Sequence, residues 1–255
     1  MSRLDVELVS RGIFESRAKA AEAIATGNVF VNGKSITKPA FTVSEKDKIE
    51  AQKNEYVSRA AKKLEFALTE FGVDVSNSIA VDAGASTGGF TQVLLNHGAK
   101  QVYSVDVGTG QLHQSLKNNP KVENYEKTNF LDFDENILKT ANIVVSDLSF
   151  VSQTLMAKKF AICLCPIIIL IKPQFECGKD YARKHKGIVK DAKVHAECIN
   201  RVVDAFENEQ LFLQAIDVSP IFGGDGNKEF VALFQKNRPK QNISIEKIVE
   251  NKVHM

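Results

Sequence analysis

From Ile79 onward the chain repeats one rhythm: a short apolar run, a turn, then a stretch with apolar residues three and four positions apart. The runs predict strands near 79–82, 101–106, 121–125, 142–146, 166–172, 211–218 and 229–235. Helices are predicted between them, near 88–97, 110–118, 134–139, 151–164 and 191–208. Alternation of this kind predicts an α/β, Rossmann-like domain: a mainly parallel seven-stranded sheet, covered on both faces, with ligands at the carboxyl ends of its strands.

Residues 1–52 follow a shorter pattern. Leu4, Val6, Leu8 and Val9 predict a helix ending near Gly12. Ser16 can cap a second helix, with Ala20, Ala23 and Ile24 inward and Gly27 just past its end. Val29 and Val31, then Asn32-Gly33, then Ser35 and Ile36 predict a hairpin, and Lys48 to Ala51 one more strand. This is a small α+β module, too small for an enzyme core. Residues 53–57 (KNEYV) read as a linker. Residues 58–238 form the second domain, opening with a helix that Ser58 caps, that turns Leu64, Ala67, Leu68 and Phe71 inward, and that stops at Gly72. Residues 239–255 form a tail in which Ile243, Ile245, Ile248 and Val249 suggest a short amphipathic helix.

Composition excludes more than it selects. The 255 residues are 44% hydrophobic and 25% charged, ordinary soluble material, and a net charge of +2 says nothing about partners. Four cysteines without a CxxC pair or zinc spacing predict free thiols, no metal site and a reducing, cytoplasmic compartment. No charged segment followed by an apolar one opens the sequence, so no secretory signal is expected. The longest apolar run, Phe160 to Ile171, is 12 residues broken by Pro166, whereas a membrane span needs about 20.

Chemistry concentrates in a few places. VDAGASTGGF, from Val81 to Phe90, reads as strand, glycine loop and helix, so a nucleotide-type ligand can lie over Gly84, Gly88 and Gly89. The next strand ends in Asp106, 18 residues after Gly88, where an acid can accept hydrogen bonds from ribose hydroxyls. Asp147 follows the fourth strand, Lys172 ends the run IIILIKPQFE, and Glu229 opens the last strand. A lysine at the end of a doubly covered strand must be desolvated or paired. Lys62 and Lys63 lie on different sides of their helix. The segment Cys177–Lys190 is basic, with Arg183 and Lys184 at its centre and Tyr181 and His185 interleaved, and reads as a mobile, RNA-contacting loop.

Two resemblances add to this reading. The string from Arg3 to Glu50 (RLDVELV, SRAKAAEAI, GNVFVNGKSITKP, VSEKDKIE) resembles the RNA-binding domain shared by ribosomal protein S-four, some pseudouridine synthases and tyrosyl-tRNA synthetases. That likeness implies a face for structured RNA built from Arg3, Ser16, Arg17, Lys19, Lys34 and Lys38. The loop GASTGG, with Asp82 before it, is more similar to an S-adenosylmethionine (SAM) methyltransferase than to a dinucleotide enzyme. VSRAAKKL, VDAGASTGGFTQVLL, VDVGTGQLHQSL, SDLSFVS, IKPQFECGK, KGIVKD and GNKEF together resemble the TlyA family, two-domain proteins long labelled hemolysins and related to FtsJ/RrmJ ribose methyltransferases.

The second resemblance implies a Lys-Asp-Lys-Glu tetrad at Lys63, Asp147, Lys172 and Glu229. It implies SAM contacts at Asp82, Gly84, Ser86, Thr87, Gly88, Gly89, Asp106 and Asn129, and further RNA contacts at Arg59 and Lys62. Its implied reaction is 2′-O-methylation of cytidine ribose in ribosomal RNA, with ribosomal subunits as partners, no membrane and a monomeric protein. Arg3 lying almost at the start suggests the form that modifies only the large subunit. A lysine serves as base for a ribose hydroxyl only when desolvation or a neighbouring cation lowers its proton affinity. Lys172 is the expected base, Lys63 and Glu229 position the ribose, and Asp147 orients Lys172. A membrane-acting cytolysin and a non-catalytic RNA-binding assembly factor are the two other classes left open.

Overall fold

Both faces of the strand Ile167–Ile171 (IIILI) are buried, and its side chains divide by parity. Ile167, Ile169 and Ile171 enter one apolar cluster with Phe160, Ile199 and Phe206, while Ile168 and Leu170 enter another with Leu64, Phe90 and Leu94. The period-2 alternation of a strand thus feeds helical layers on both sides of one sheet.

The computed structural model describes residues 2–25, 27–51 and 56–253, and the chain divides into two compact units, Met1–Glu55 and Tyr56–Met255. Of the expected linker, residues 53–55 lie outside the described residues. Tyr56 and Val57 belong to the second unit, where the Tyr56 hydroxyl donates to Glu65 and the Val57 N–H to the Gln92 side chain.

The first unit has helices Leu4–Ser10 and Arg17–Ala25 packed on short strands around Leu4, Leu8, Ile24, Val29 and Val43. Val29–Val31 pairs antiparallel with Lys34–Ser35 and with Ile49–Ala51. Asn32 and Gly33 both have positive φ, 50° and 79°, as the tight turn of such a hairpin requires. Ser16 Oγ accepts the Lys19 N–H, the expected cap.

In the second unit the strands β1 (Ile79–Ala83), β2 (Gln101–Val105), β3 (Val122–Tyr125), β4 (Ile143–Ser146), β5 (Ile167–Ile171), β6 (Leu211–Val218) and β7 (Phe230–Lys236) form one sheet in the order β6-β7-β5-β4-β1-β2-β3. All neighbours are parallel except β7, which runs antiparallel to both β5 and β6. The strand order reverses between β1 and β4, the crevice where open α/β sheets bind ligands.

The helices α1 (Ala61–Glu70), α2 (Gly89–Asn96) and α3 (Ala192–Asn208) fall where the pattern put them, with local corrections. Ser58 does not cap α1: the helix starts at Ala61, and the Ser58 hydroxyl accepts the Ala60 N–H within a preceding turn. The helix expected over 110–118 shrinks to Gln114–Lys117, capped by the His113 side chain. The one expected over 151–164 becomes a 3-10 turn, Gln153–Met156, and one α-turn, Ala157–Phe160, because the chain must reverse before β5. The basic segment after Lys172 holds a helix, Lys179–Lys184, rather than an irregular loop. Its far end is fixed: buried Asn227 accepts the Val189 N–H and donates to the Gly187 carbonyl. The tail is not detached, since helix α4 (Ile245–Val253) packs on α3 and buries Ile245 and Val249 in the main core.

Candidate active site

The register of two strands brings the chemistry together. Ile171 at the end of β5 pairs with Phe230 at the start of antiparallel β7, so Lys172 and Glu229 emerge side by side. Asp147 follows the neighbouring strand β4, and Lys63 comes from the first turn of α1. Lys63 Nζ lies 2.5 Å from Glu229 Oε2 and 3.8 Å from Asp147 Oδ2, while Lys172 Nζ lies 2.6 Å from Asp147 Oδ1. The result is a chain of alternating charge: Glu229, Lys63, Asp147, Lys172. Lys63, Lys172 and Glu229 are buried and Asp147 is half-buried. Lys172 also donates to Ser149 Oγ at 2.7 Å and to the Asp147 carbonyl at 3.4 Å.

Two adjoining cavities open here. The smaller, about 290 Å³, holds all four tetrad residues, with Ser58, Arg59, Phe150, Phe175 and Asp225 among its walls. The larger, about 500 Å³, runs from Gly84 and Asp106 to Asn129, with Val107, Phe130, Leu131, Leu155 and Met156 as an apolar wall. Gly84, Ser86, Asp147, Ser149 and Phe150 belong to both.

The glycine loop is shaped mostly by its own surroundings. A Cβ on Gly84 would lie 3.0 Å from the Asp147 carbonyl, and one on Gly88 would sit 2.3 Å from a Leu116 methyl, at a φ of 94°. Gly88 lines neither cavity, and its lack of a side chain lets Leu112 and Leu116 pack against it. Ser86 and Thr87 do line the smaller cavity, as does Gly89. Asp106 Oδ2 accepts the Ser86 N–H and Oδ1 the Gly108 N–H, which fixes its carboxylate at the rim of the larger cavity with further lone pairs to offer.

Asp82, expected against the cofactor, instead lies wholly buried beneath the loop and lines neither cavity. Its Oδ2 accepts the Thr91 hydroxyl, itself paired with Ser104, and Oδ1 has no partner. Burial pushes its carboxyl up to about 7, the Thr91 hydrogen bond opposing this in part. Asn129 caps the turn at Leu131 and lines the larger cavity.

The expected RNA-contact residues are exposed. Arg59 lines the smaller cavity, and Lys62 sits on the exposed side of α1. Arg183 pairs with Asp180 on its exposed helix, next to exposed Lys184. In the first unit Arg3 and Arg17 both bond buried Asp5, Lys19 pairs with Glu15, and Lys34 and Lys38 are exposed. The Arg3 guanidinium holds the Asp5 carboxyl down at about 2.

Sequence reasoning missed Asp5, Ser149, Phe150 and Phe175. Phe150 is 91% exposed at a φ of 64°, rare for a bulky residue, and its ring lies 5.3 Å from that of Phe175. Nothing in hydrophobic periodicity marks such residues; only the proximity of Ser149 and Phe150 to Asp147 in SDLSF could have drawn attention to them.

A seven-stranded sheet of this order, with a polar cluster at its switch point and an adjoining ligand-sized cavity, defines an α/β group-transfer enzyme. The chain belongs to the FtsJ-like methyltransferase family, which it matches over residues 56–236, and within it to the TlyA group; residues 2–49 match the S4 domain. It is 37% identical to the 16S/23S rRNA (cytidine-2′-O)-methyltransferase TlyA of Mycobacterium tuberculosis, across 99% of this chain and 96% of that one. It is 40% identical to the protein named hemolysin A of Brachyspira hyodysenteriae, across 91% of this chain and 99% of that one. A solved structure described as "Putative hemolysin from Streptococcus thermophilus" superposes with a TM-score of 0.77 at 35% identity, covering 99% of this chain and 95% of that one. Among the described residues no helix is long and apolar enough to cross a membrane.

Proposed function

We propose that the protein transfers the methyl group of SAM to the 2′-hydroxyl of a cytidine ribose in ribosomal RNA. The observation that carries this reading is the Glu229–Lys63–Asp147–Lys172 chain, set in a cavity that shares Asp147 and Ser149 with a second one. The larger cavity fits the donor: the Asp106 carboxylate suits a ribose diol, the wall of Val107, Phe130, Leu131 and Leu155 suits an adenine, and the loop at Gly84 and Ser86 suits the amino-acid end. When bound, SAM supplies a sulfonium-activated methyl group. A ribose in the smaller cavity meets Lys63 and Glu229, which orient its hydroxyls, and Lys172 Nζ takes the 2′-hydroxyl proton as the oxygen becomes nucleophilic. Asp147 holds both amines in line, so that orientation supplies much of the rate.

The RNA substrate is carried over from the name of the Mycobacterium relative and supported by the S4 domain. We assign the large subunit as the first substrate, with the protein acting as a cytoplasmic monomer. Labelled methyl transfer from SAM to ribosomal subunits and intact ribosomes of a strain lacking the protein, followed by mapping, tests this. One 2′-O-methylcytidine is expected. Absence of label on any rRNA ribose overturns the reading.

A further inference from the structure

We infer that Ser149 is a positioning residue of methyl transfer, acting through Lys172. The inference rests on the function proposed above. The tetrad by itself leaves the Lys172 amine under-determined. An ammonium offers three N–H directions, and a neutral amine two N–H groups and one lone pair. With Asp147 as its only acceptor, the group turns freely about the Cε–Nζ bond, and the lone pair points productively for only part of the time.

Ser149 removes that freedom. Its Oγ lies 2.7 Å from Lys172 Nζ, beside Asp147 Oδ1 at 2.6 Å. Both acceptors come from one loop, two residues apart. The Ser149 hydroxyl and, more weakly, the Asp147 carbonyl at 3.4 Å accept from two N–H directions while the Asp147 carboxylate holds the amine as an ion pair, so the third direction is assigned to the open cleft. The Phe175 ring, 5.9 Å from Nζ, covers another side. Because Ser149 accepts from Lys172, its own hydroxyl proton is directed elsewhere, and the residue lines both cavities, where methyl donor and ribose oxygen must meet.

The loop is held in place to do this. The Asp147 carbonyl lies close against Gly84, where an added Cβ would come within 3.0 Å of it, and the Asp147 N–H donates to the Ala83 carbonyl. Further along, the Ser152 hydroxyl and the Gln153 N–H donate to the buried Glu176 carboxylate, at 2.5 and 2.7 Å, which ties the loop to the segment that follows Lys172. Between these anchors Phe150 takes its positive φ and turns the chain directly after Ser149. Ser149 is exposed to the cleft and contributes nothing to the apolar core, so its removal need not disturb folding.

The test is a comparison of full-length wild-type protein with Ser149→Ala and Ser149→Thr on ribosomal subunits, measuring kcat, KM for the subunit, SAM affinity, melting temperature and the pH–rate profile. For Ser149→Ala, kcat should fall by about ten- to a hundredfold, the scale set by misorientation of a reacting group. KM, SAM affinity and melting temperature should stay near wild type. The half-maximal point of the pH–rate profile should move to lower pH, because an acceptor of the ammonium is gone, a readout that a purely structural role would not move. Ser149→Thr, which keeps the hydroxyl, should restore most of the rate. An alanine variant with wild-type kcat and an unmoved profile overturns the inference while leaving the proposed reaction standing. So does a loss of rate matched by loss of SAM affinity or of melting temperature. A wild-type protein that transfers no methyl group overturns both.

Discussion

Lys63 and Glu229 stand 166 positions apart in the chain, yet the Lys63 ammonium donates to the Glu229 carboxylate at 2.5 Å, both side chains being almost fully buried. A pair like this stabilises the fold little in net terms, because desolvation offsets most of the attraction. Its breakage, however, strands an uncompensated charge. Glu229→Ala should therefore lower stability by about 3 kcal/mol. The double variant Lys63→Met, Glu229→Leu should regain much of that loss while remaining inactive. Denaturant unfolding and methyl-transfer assays on the same preparations check this; a double variant that is active argues against a role in positioning the ribose.

Lys172→Ala removes the proposed base and leaves the larger cavity unchanged, since Lys172 is not among its walls. Methyl transfer should fall below detection while SAM affinity, measured by calorimetry, stays within about twofold of wild type. Near-normal turnover would remove Lys172 from the chemistry.

Asp106 and Gly88 separate ligand contact from packing. Asp106→Ala should weaken SAM binding by about tenfold or more, the scale of a lost charged hydrogen bond. Gly88→Ala must force a left-handed backbone position and drive a methyl group into Leu116 and Leu112, so it should lower the melting temperature first and SAM affinity only in consequence. If Gly88→Ala weakens SAM binding without any thermal effect, Gly88 touches the ligand after all.

Asp82 gives a pH dependence with a defined sign. Its folded carboxyl titrates near 7 against an ordinary 3.8, so between those values the folded protein holds a proton that the unfolded chain has lost. Stability from this group is therefore greatest below about 4, declines as pH rises through that window, and is at its lowest above about 7. Asp82→Asn abolishes the titration. Its melting temperature relative to wild type should rise from pH 5 to pH 8. A constant difference, or one that shrinks, would contradict the burial of Asp82 with its Oδ1 left without a partner.

Arg3 and Arg17 fan out from the one buried carboxylate of Asp5 with roughly half of each side chain exposed, a fixed pair of forks for phosphates. Replacing both by alanine should weaken binding to ribosomal subunits and lower the slope of log affinity against log salt by about 2. Binding with an unchanged slope would place the phosphate contacts elsewhere.

What the sequence determined by itself is what local physics writes into it. Short apolar runs between turns and helical stretches specified all seven strands of the sheet, the Asn32-Gly33 pair specified the hairpin, and charged residues at strand ends, Lys172 above all, marked where chemistry had to lie. The TlyA likeness then assigned four distant residues to one tetrad. Tertiary structure alone decided how those residues meet, because the antiparallel insertion of β7 beside β5, and hence the Ile171–Phe230 register, depends on long-range pairing that no window of sequence contains. It also placed Asp82 beneath the glycine loop against Thr91, set Gly88 against Leu112 and Leu116, and put Ser149 beside Lys172. Burial and close packing are properties of the assembled neighbours: an acid before a glycine loop looks the same in sequence whether it faces a cofactor or lies beneath the loop against Thr91.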